Sequence, residues 1–216
     1  MSAKIILPRI LQIGAGASKE VGVILKSMGL RRPLIVTDKI MVQLGYIESI
    51  MECMSDAEIS ADVFDDTVPE PTVSSIQAGV DQVHDGHYDC IIALGGGSPI
   101  DSAKAIAILG KYGGEMRDYK FPRIVDEPGL PIIAIPTTAG TGSEVTKVTV
   151  ITDETTDEKM MCLGAGFMPT VALVDYELSL SVPARTTADT GIDAMTHAIE
   201  AYAVSYTHLR AHETEE

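Results

Sequence analysis

The sequence predicts an α/β protein built on a doubly wound parallel sheet. Short all-apolar runs rich in Ile and Val recur up to Asp175. Segments with helical periodicity separate them, and glycine-rich turns follow directly on two of the runs. Strands that are apolar throughout are buried on both faces, as in a parallel sheet packed between helices. Helices that alternate with such strands supply the crossovers.

Ile10–Ile13 reads as a strand ending in Gly14-Ala15-Gly16. Residues 18–28 read as a helix with Val21, Leu25 and Met28 on one face. Residues 33–37 (PLIVT) read as a buried strand closed by Asp38, and Met41, Leu44, Ile47 and Met51 mark a second helix. A third strand is expected over 60–64. The turn Pro69-Glu70-Pro71-Thr72 follows, with Thr72 as N-cap of a helix over 73–84. Residues 90–94 (CIIAL) form the next strand, succeeded at once by Gly95-Gly96-Gly97 and a helix over 98–109. Further strands are expected over 131–135 and Val171–Val174.

After Asp175 the pattern loses its strands, and a long helix rich in Ala and Thr is expected from about Thr186. The division this implies is a sheet domain over 1–180 and the opening of a helical region over 181–204. The polar stretch 205–216 (SYTHLRAHETEE) has no core face. It reads as foreign to the chain and stands outside the fold argument.

Composition bounds the function. The chain has 216 residues, with 16 Lys+Arg against 31 Asp+Glu, for a net charge of −15. At 45% hydrophobic residues it is not a wholly disordered chain. The acidic balance argues against partners bound through nucleic acid phosphates or anionic membrane surfaces. Cys53, Cys90 and Cys162 are far apart and form no CxxC pair, which fits a reducing compartment. Pro8 and Arg9 interrupt the N-terminal apolar residues, so no secretory signal is read. No apolar run approaches the ~20 residues of a membrane span. The expectation is a soluble, cytoplasmic protein.

Two turns are candidate phosphate loops. Gly14-Ala15-Gly16-Ala17 has the strand-to-helix setting of a dinucleotide fingerprint, but Lys19 stands where the third glycine belongs. The bland reading is a tight turn whose glycines supply backbone freedom. In Gly95-Gly96-Gly97-Ser98-Pro99-Ile100-Asp101, Ser98 fits an N-cap, Pro99 the first helical position and Asp101 the far side of a capping box. Three glycines also leave the helix N-terminus open to an anion such as pyrophosphate. Capping and phosphate binding are compatible, and both are expected there.

Asp38, at a strand end, can accept from both hydroxyls of an adenosine ribose, or can simply start a helix before Lys39. The stretch 136–144 (PTTAGTGSE) stacks hydroxyls and glycines at another strand end. It can bind a nicotinamide and its ribose, or form a further capped loop over Thr141 and Glu144. Asp193 and His197 stand four apart on the last helix, which puts both on one face. They read as two ligands of a divalent metal or as a solvated ion pair, and spacing alone favours the pair. His208 and His212 lie in the excluded stretch.

Three motifs, GGGSPIDSAKAIA, PTTAGTGSEVT and GIDAMTHAIEAY, resemble in order and spacing those of the iron-containing (group III) alcohol dehydrogenases. The resemblance runs from about residue 4 to 203, and the TTAGTGSE and GIDAMTHAIEAY wording is like that of the family's lactaldehyde reductase and 1,3-propanediol dehydrogenase types. It implies a Rossmann-like domain of the dehydroquinate synthase-like kind, followed by an all-helical domain that is truncated here after its first helix. It implies NAD as cofactor, with its pyrophosphate on Gly95, Gly96, Gly97 and Ser98 beside Asp101. Thr137, Thr138 and Thr141 would line the phosphate and nicotinamide-ribose side, Asp38 the adenine ribose, and Lys159 would contact the cofactor. Asp193 and His197 would be two ligands of Fe²⁺, or Zn²⁺.

The implied activity is metal-assisted hydride transfer between NAD and a small alcohol, diol or aldehyde, with no side-chain nucleophile and a homo-oligomeric full-length form. Relatives often carry Asn where this chain has Glu70, and two further His ligands lie in the half this chain lacks. The chain alone is therefore expected to be inactive. A noncatalytic NAD-binding module would keep the glycine loop and Asp38 but have no use for Asp193 and His197. A glycerol- or sugar-phosphate-type member of the same superfamily is the other alternative.

Overall fold

The computed structural model describes residues 6–203. The stretch 205–216, with His208 and His212, lies outside the described residues. The strands are β1 (Ile10–Ile13), β2 (Pro33–Val36), β3 (Asp62–Phe64), β4 (Cys90–Gly95), β5 (Ile132–Pro136), β6 (Val148–Asp153), β7 (Glu158–Leu163) and β8 (Val171–Val174). The helices are α1 (Val21–Met28), α2 (Lys39–Gln43), α3 (Tyr46–Ser55), α4 (Val73–Gly86), α5 (Gly97–Tyr112) and α6 (Ala184–Ala203).

Six strands form one sheet in the order β1-β8-β5-β4-β2-β3, and every pairing in it is parallel. Both faces are covered, as the unbroken apolar runs require. Leu34, Val36, Ile91 and Ala93 pack against α4 and α5, while Ile35, Ile92 and Leu94 pack against α1 and α3. The fold class expected from the sequence, a doubly wound α/β sheet, is the one observed.

Three local expectations are corrected. The single helix expected across Met41–Met51 is two, because Gly45 adopts φ 77° and breaks it between α2 and α3. The helix after the second glycine loop is α5, whose N-cap is Gly96 with no side-chain cap, so Ser98 and Asp101 form no capping box. Likewise Thr141 and Glu144 do not box the short 3-10 turn Ser143–Val145, whose N-cap is Gly142.

The sequence reading also missed the antiparallel hairpin of β6 and β7, which stands apart from the main sheet. Ile151, Met160 and Cys162 from this hairpin join the same core as α5. That contact explains why α5 is buried almost all round: the sheet covers one side and the hairpin another.

The sheet order sets the site. From β2 the chain moves outward to β3 on one side, and from β4 outward to β5 on the other. The reversal lies between β2 and β4, and open α/β sheets bind ligands in the crevice beyond the strand ends at such a point. Asp38 follows β2, the glycine loop follows β4, and Thr137-Thr138 follow β5.

Candidate active-site cleft

The two glycine loops have separate fates. At the first, an internal carboxylate occupies the helix N-terminus. Asp175 accepts from Gly16 N at 3.1 Å, Ser18 N at 3.3 Å, Ser18 Oγ at 2.7 Å and Glu177 N at 3.1 Å. Burial pushes this carboxyl up, but the four donors outweigh it and hold it below the ordinary carboxylate range. The anion that this turn favours is thus built into the chain.

At the second loop no side chain serves as the anion. α5 opens at Gly96 with no side-chain cap, and a helix N-terminus presents unpaired N–H groups and a positive dipole end. Two cavities meet there. The larger, about 600 Å³, is lined by Asp38, Gly96, Gly97, Ser98, Thr137 and Thr138, and closed by Val182, Pro183 and Thr186. The smaller, about 320 Å³, is lined by Gly97, Ser98, Asp101, Thr141, Lys159, Asp193 and His197. Gly97 and Ser98 belong to both, so the two cavities adjoin at the start of α5.

The floor of the larger cavity is stitched across three strand ends. Thr37 Oγ1 donates to Leu94 O at 2.8 Å, and Thr67 Oγ1 donates to Thr37 O at 2.7 Å. Asp38 starts a helix, one of its two sequence readings, and also lines the larger cavity. Its Oδ1 caps α2 by accepting from Ile40 N at 2.8 Å and Met41 N at 3.0 Å, while the residue faces the cavity. Its neighbour Lys39 is paired with Asp66 and lies 3.8 Å from Asp65.

The glycines divide their work. A Cβ on Gly97 would fall 2.9 Å from Thr141 Cγ2, so Thr141 already packs on the turn. Gly95 has φ +143° and lines neither cavity; a Cβ there would meet Pro99 Cγ at 2.7 Å, so it shapes the turn instead. On Gly140 a Cβ would fall 2.5 Å from Thr190 O, which shows that this glycine admits α6 to the hydroxyl loop. That docking brings Asp193 and His197 into the smaller cavity, with Asp193 Oδ1 and His197 Nε2 3.6 Å apart.

Asp101 faces the same cavity with both oxygens engaged. Oδ1 accepts from Ser143 Oγ at 2.5 Å, and Oδ2 accepts from Val150 N at 3.2 Å. Lys159 is paired with Glu70 at 3.0 Å across the mouth. Both ends of that pair are exposed, so it contributes ~0–1 kcal/mol and yields easily to a ligand. Among the described residues, no group of three or more His, Cys, Asp or Glu side chains could hold a metal ion. Asp193 and His197 are one oxygen and one nitrogen donor.

Lys104 escaped the sequence reading although it lies inside the GGGSPIDSAKAIA motif. It is fully buried under the smaller cavity. The signal was available: a lysine among Ala and Ile on a helix with no polar face must find partners inside the protein.

The family model for iron-containing alcohol dehydrogenase matches residues 8–176. The NAD-dependent methanol dehydrogenase of Bacillus methanolicus is 41% identical over 196 residues, covering 91% of this chain and 51% of that enzyme. The lactaldehyde reductase of Escherichia coli (strain K12) is 37% identical over 204 residues, covering 94% of this chain and 53% of that enzyme. Among solved structures, sulfoacetaldehyde reductase from Bifidobacterium kashiwanohense in complex with NAD+ superposes with a TM-score of 0.87 at 37% identity. It is matched over 94% of this chain and 54% of its own length. The chain thus spans about half the length of the curated relatives it matches.

Proposed function

The chain belongs to the iron-containing alcohol dehydrogenase family, and from that premise we propose that it is the dinucleotide half of an NAD-dependent oxidoreductase of small alcohols or aldehydes. One observation carries the proposal. Two cavities adjoin at the uncapped N-terminus of α5, one lined by Asp38 and the other by Asp193 and His197.

The residues fit the cofactor. Gly96 leaves room at the N-terminus of α5 for a pyrophosphate, Gly97 lines both cavities beside it, and free N–H groups with the dipole favour that anion. Asp38 would receive the adenine ribose hydroxyls and would repel a 2′-phosphate, which favours NAD over NADP. Thr138 and Thr141, flanking the glycines, would supply hydroxyl donors to phosphate and the second ribose. Lys159 would exchange Glu70 for the cofactor. These residues bind and orient, and none acts as a nucleophile.

The metal fits in part. Asp193 and His197 would hold two positions of a divalent ion such as Fe²⁺ or Zn²⁺, and catalytic sites of this kind use three or four protein ligands. When bound, the metal supplies Lewis-acid polarisation of the substrate oxygen, and the nicotinamide supplies the hydride chemistry. We place the division between the dinucleotide domain and the helical region near residue 180. On this reading the chain alone binds NAD(H) but does not turn over.

The test is titration of the purified chain with NADH, followed by fluorescence, with Gly96→Ala as the site control. Saturable binding that the control weakens supports the proposal. Absence of binding in a folded chain overturns it.

A further inference from the structure

Lys104 lies in the middle of α5 with no solvent exposure, and the cofactor assignments above leave it unused. Its ammonium donates to Ser143 Oγ at 2.9 Å, Thr146 Oγ1 at 3.1 Å and the Val148 carbonyl at 2.6 Å. Three donors meet three acceptors, so the group is saturated. The facing carboxylates are Asp101, whose Oδ1 is 3.7 Å away, and Glu144, which adds a Coulombic attraction. Ser143 Oγ passes its own proton on to Asp101 Oδ1 at 2.5 Å.

Such a group is a poor choice for stability alone. Taking an ammonium out of water is costly, and a well-packed apolar side chain is often as stable. What the lysine does is select one conformation of the chain that contacts it. All three of its acceptors lie within residues 143–148, the stretch that leads from the hydroxyl loop into β6.

We propose that Lys104 is a positioning residue for the nicotinamide side of the cleft. It clamps residues 143–148 onto α5, so that Thr141 and Ser143 stand over the helix N-terminus. It thereby sets the affinity for the nicotinamide half of the dinucleotide and not for the adenosine half. The proposal rests on the reading that the dinucleotide spans both cavities. Three observations support it. Asp101, Ser143, Thr146 and Val148 all line the smaller cavity, and none lines the larger. Thr141 is packed so closely on Gly97 that a shift of its loop changes the shape of the turn. Thr149 Oγ1 donates to the Asp101 carbonyl at 2.9 Å, so the clamp continues into β6.

The test compares NADH with AMP, which lacks the nicotinamide, its ribose and the second phosphate, by calorimetry on the intact chain and on Lys104→Met and Ser143→Ala. Circular dichroism serves as the folding control. The chain is expected to bind NADH more tightly than AMP. Loss of one or two net hydrogen bonds at the loop should weaken NADH binding roughly five- to thirty-fold in Lys104→Met, and by a smaller factor in Ser143→Ala. AMP affinity should be unchanged in both.

Equal weakening of both ligands would mark Lys104 as a general prop and overturn the proposal, as would folded variants that bind NADH normally. It also falls if the unaltered chain binds the two ligands equally. Binding of neither ligand by the unaltered chain would instead sink the cofactor reading itself. If Lys104→Met does not fold, Ser143→Ala decides by the same criteria.

Discussion

Replacing Gly96 with Ala separates the demands of the fold from those of the cofactor. Gly96 has φ −76° and ψ −161°, extended backbone that any residue adopts. An added Cβ would lie 3.4 Å from Thr138 Oγ1 and 3.5 Å from Thr138 Cγ2, which is ordinary contact. Alanine is a poorer N-cap than glycine, by up to about 1 kcal/mol. Its lower entropy in the unfolded chain returns about 0.4–1 kcal/mol. The net is within about 1 kcal/mol, or a shift of about 2–4 °C in Tm for a chain of this size.

Binding is another matter. The methyl would occupy the gap between Thr138 and the start of α5, where a phosphate oxygen must come within about 2.8 Å of an N–H. Losing one charge-assisted hydrogen bond costs about 1.5–3 kcal/mol, so Kd should rise roughly ten- to hundred-fold. Calorimetry with NAD⁺ and a melting curve measure both quantities. Gly16→Ala is the mirror control. Its φ of 73° strains any side chain, and its N–H faces Asp175 rather than the cleft. That variant should melt earlier yet bind normally in whatever stays folded. A Gly96→Ala chain with unchanged affinity, or a folded Gly16→Ala chain that has lost it, refutes the assignment of the two loops.

Asp38→Gly should narrow the preference for NADH over NADPH. Like charges about 4 Å apart cost about 1 kcal/mol in water and about 4 at an effective dielectric of 20, a roughly five- to several-hundred-fold effect. Glycine replaces a capping Asp at a cost of only a few tenths of a kcal/mol, so paired titrations on a folded variant decide the matter. Stability should depend on pH through two groups. Asp175, held below the ordinary carboxylate range, contributes stability above that range that is lost as the pH falls through it. Burial lowers Lys104 from 10.5 to about 8, so the unfolded chain keeps a proton that the folded one has released. Stability should therefore rise between about pH 8 and 10.5, and Lys104→Met should flatten that limb of a melting-temperature profile. With Asp193 and His197 as the two metal donors proposed among the described residues, the chain should bind Fe²⁺ or Zn²⁺ weakly and reduce no NAD with short alcohols under anaerobic assay. Turnover comparable to a full-length relative would overturn that expectation. Ile192, Met195 and Ile199 are exposed on one face of α6. Polar replacements there should reduce self-association in analytical ultracentrifugation.

Much of the fold was legible because its signals are local. Ile10–Ile13, apolar but for Gln12, and the all-apolar Val171–Val174 are short runs bounded by punctuating residues, and both strands fall on those bounds. Thr72 caps α4 through a hydroxyl that accepts from Ser75 N, as the turn before it implied. The β6–β7 hairpin was not read because its residues alternate with polar ones and pack on a helix instead of joining the main sheet. Its indirect trace was α5, a helix with no polar face, which needs a cover on the side away from the sheet. The break at Gly45 had a visible cause, an isolated glycine inside a helical pattern, but periodicity alone runs across it.

The two glycine loops show where local reading stops. Both follow a strand, both open a helical turn, and both leave N–H groups that need an acceptor. What separates them is Asp175, 159 residues beyond Gly16 in sequence. β1 and β8 are paired neighbours in the sheet, and the register that sets Ile13 against Val174 delivers that carboxylate to the first loop. The second loop lies at the sheet's reversal, where neighbouring strands lead away in opposite directions and, among the described residues, no side chain caps the helix that opens there. A helix N-terminus filled from within stabilises the fold, and one left open at a crevice is available to a ligand. The same three-residue grammar therefore yields a structural turn at Gly14–Gly16 and, on the proposed reading, a binding turn at Gly95–Gly97, and the strand order is what tells them apart.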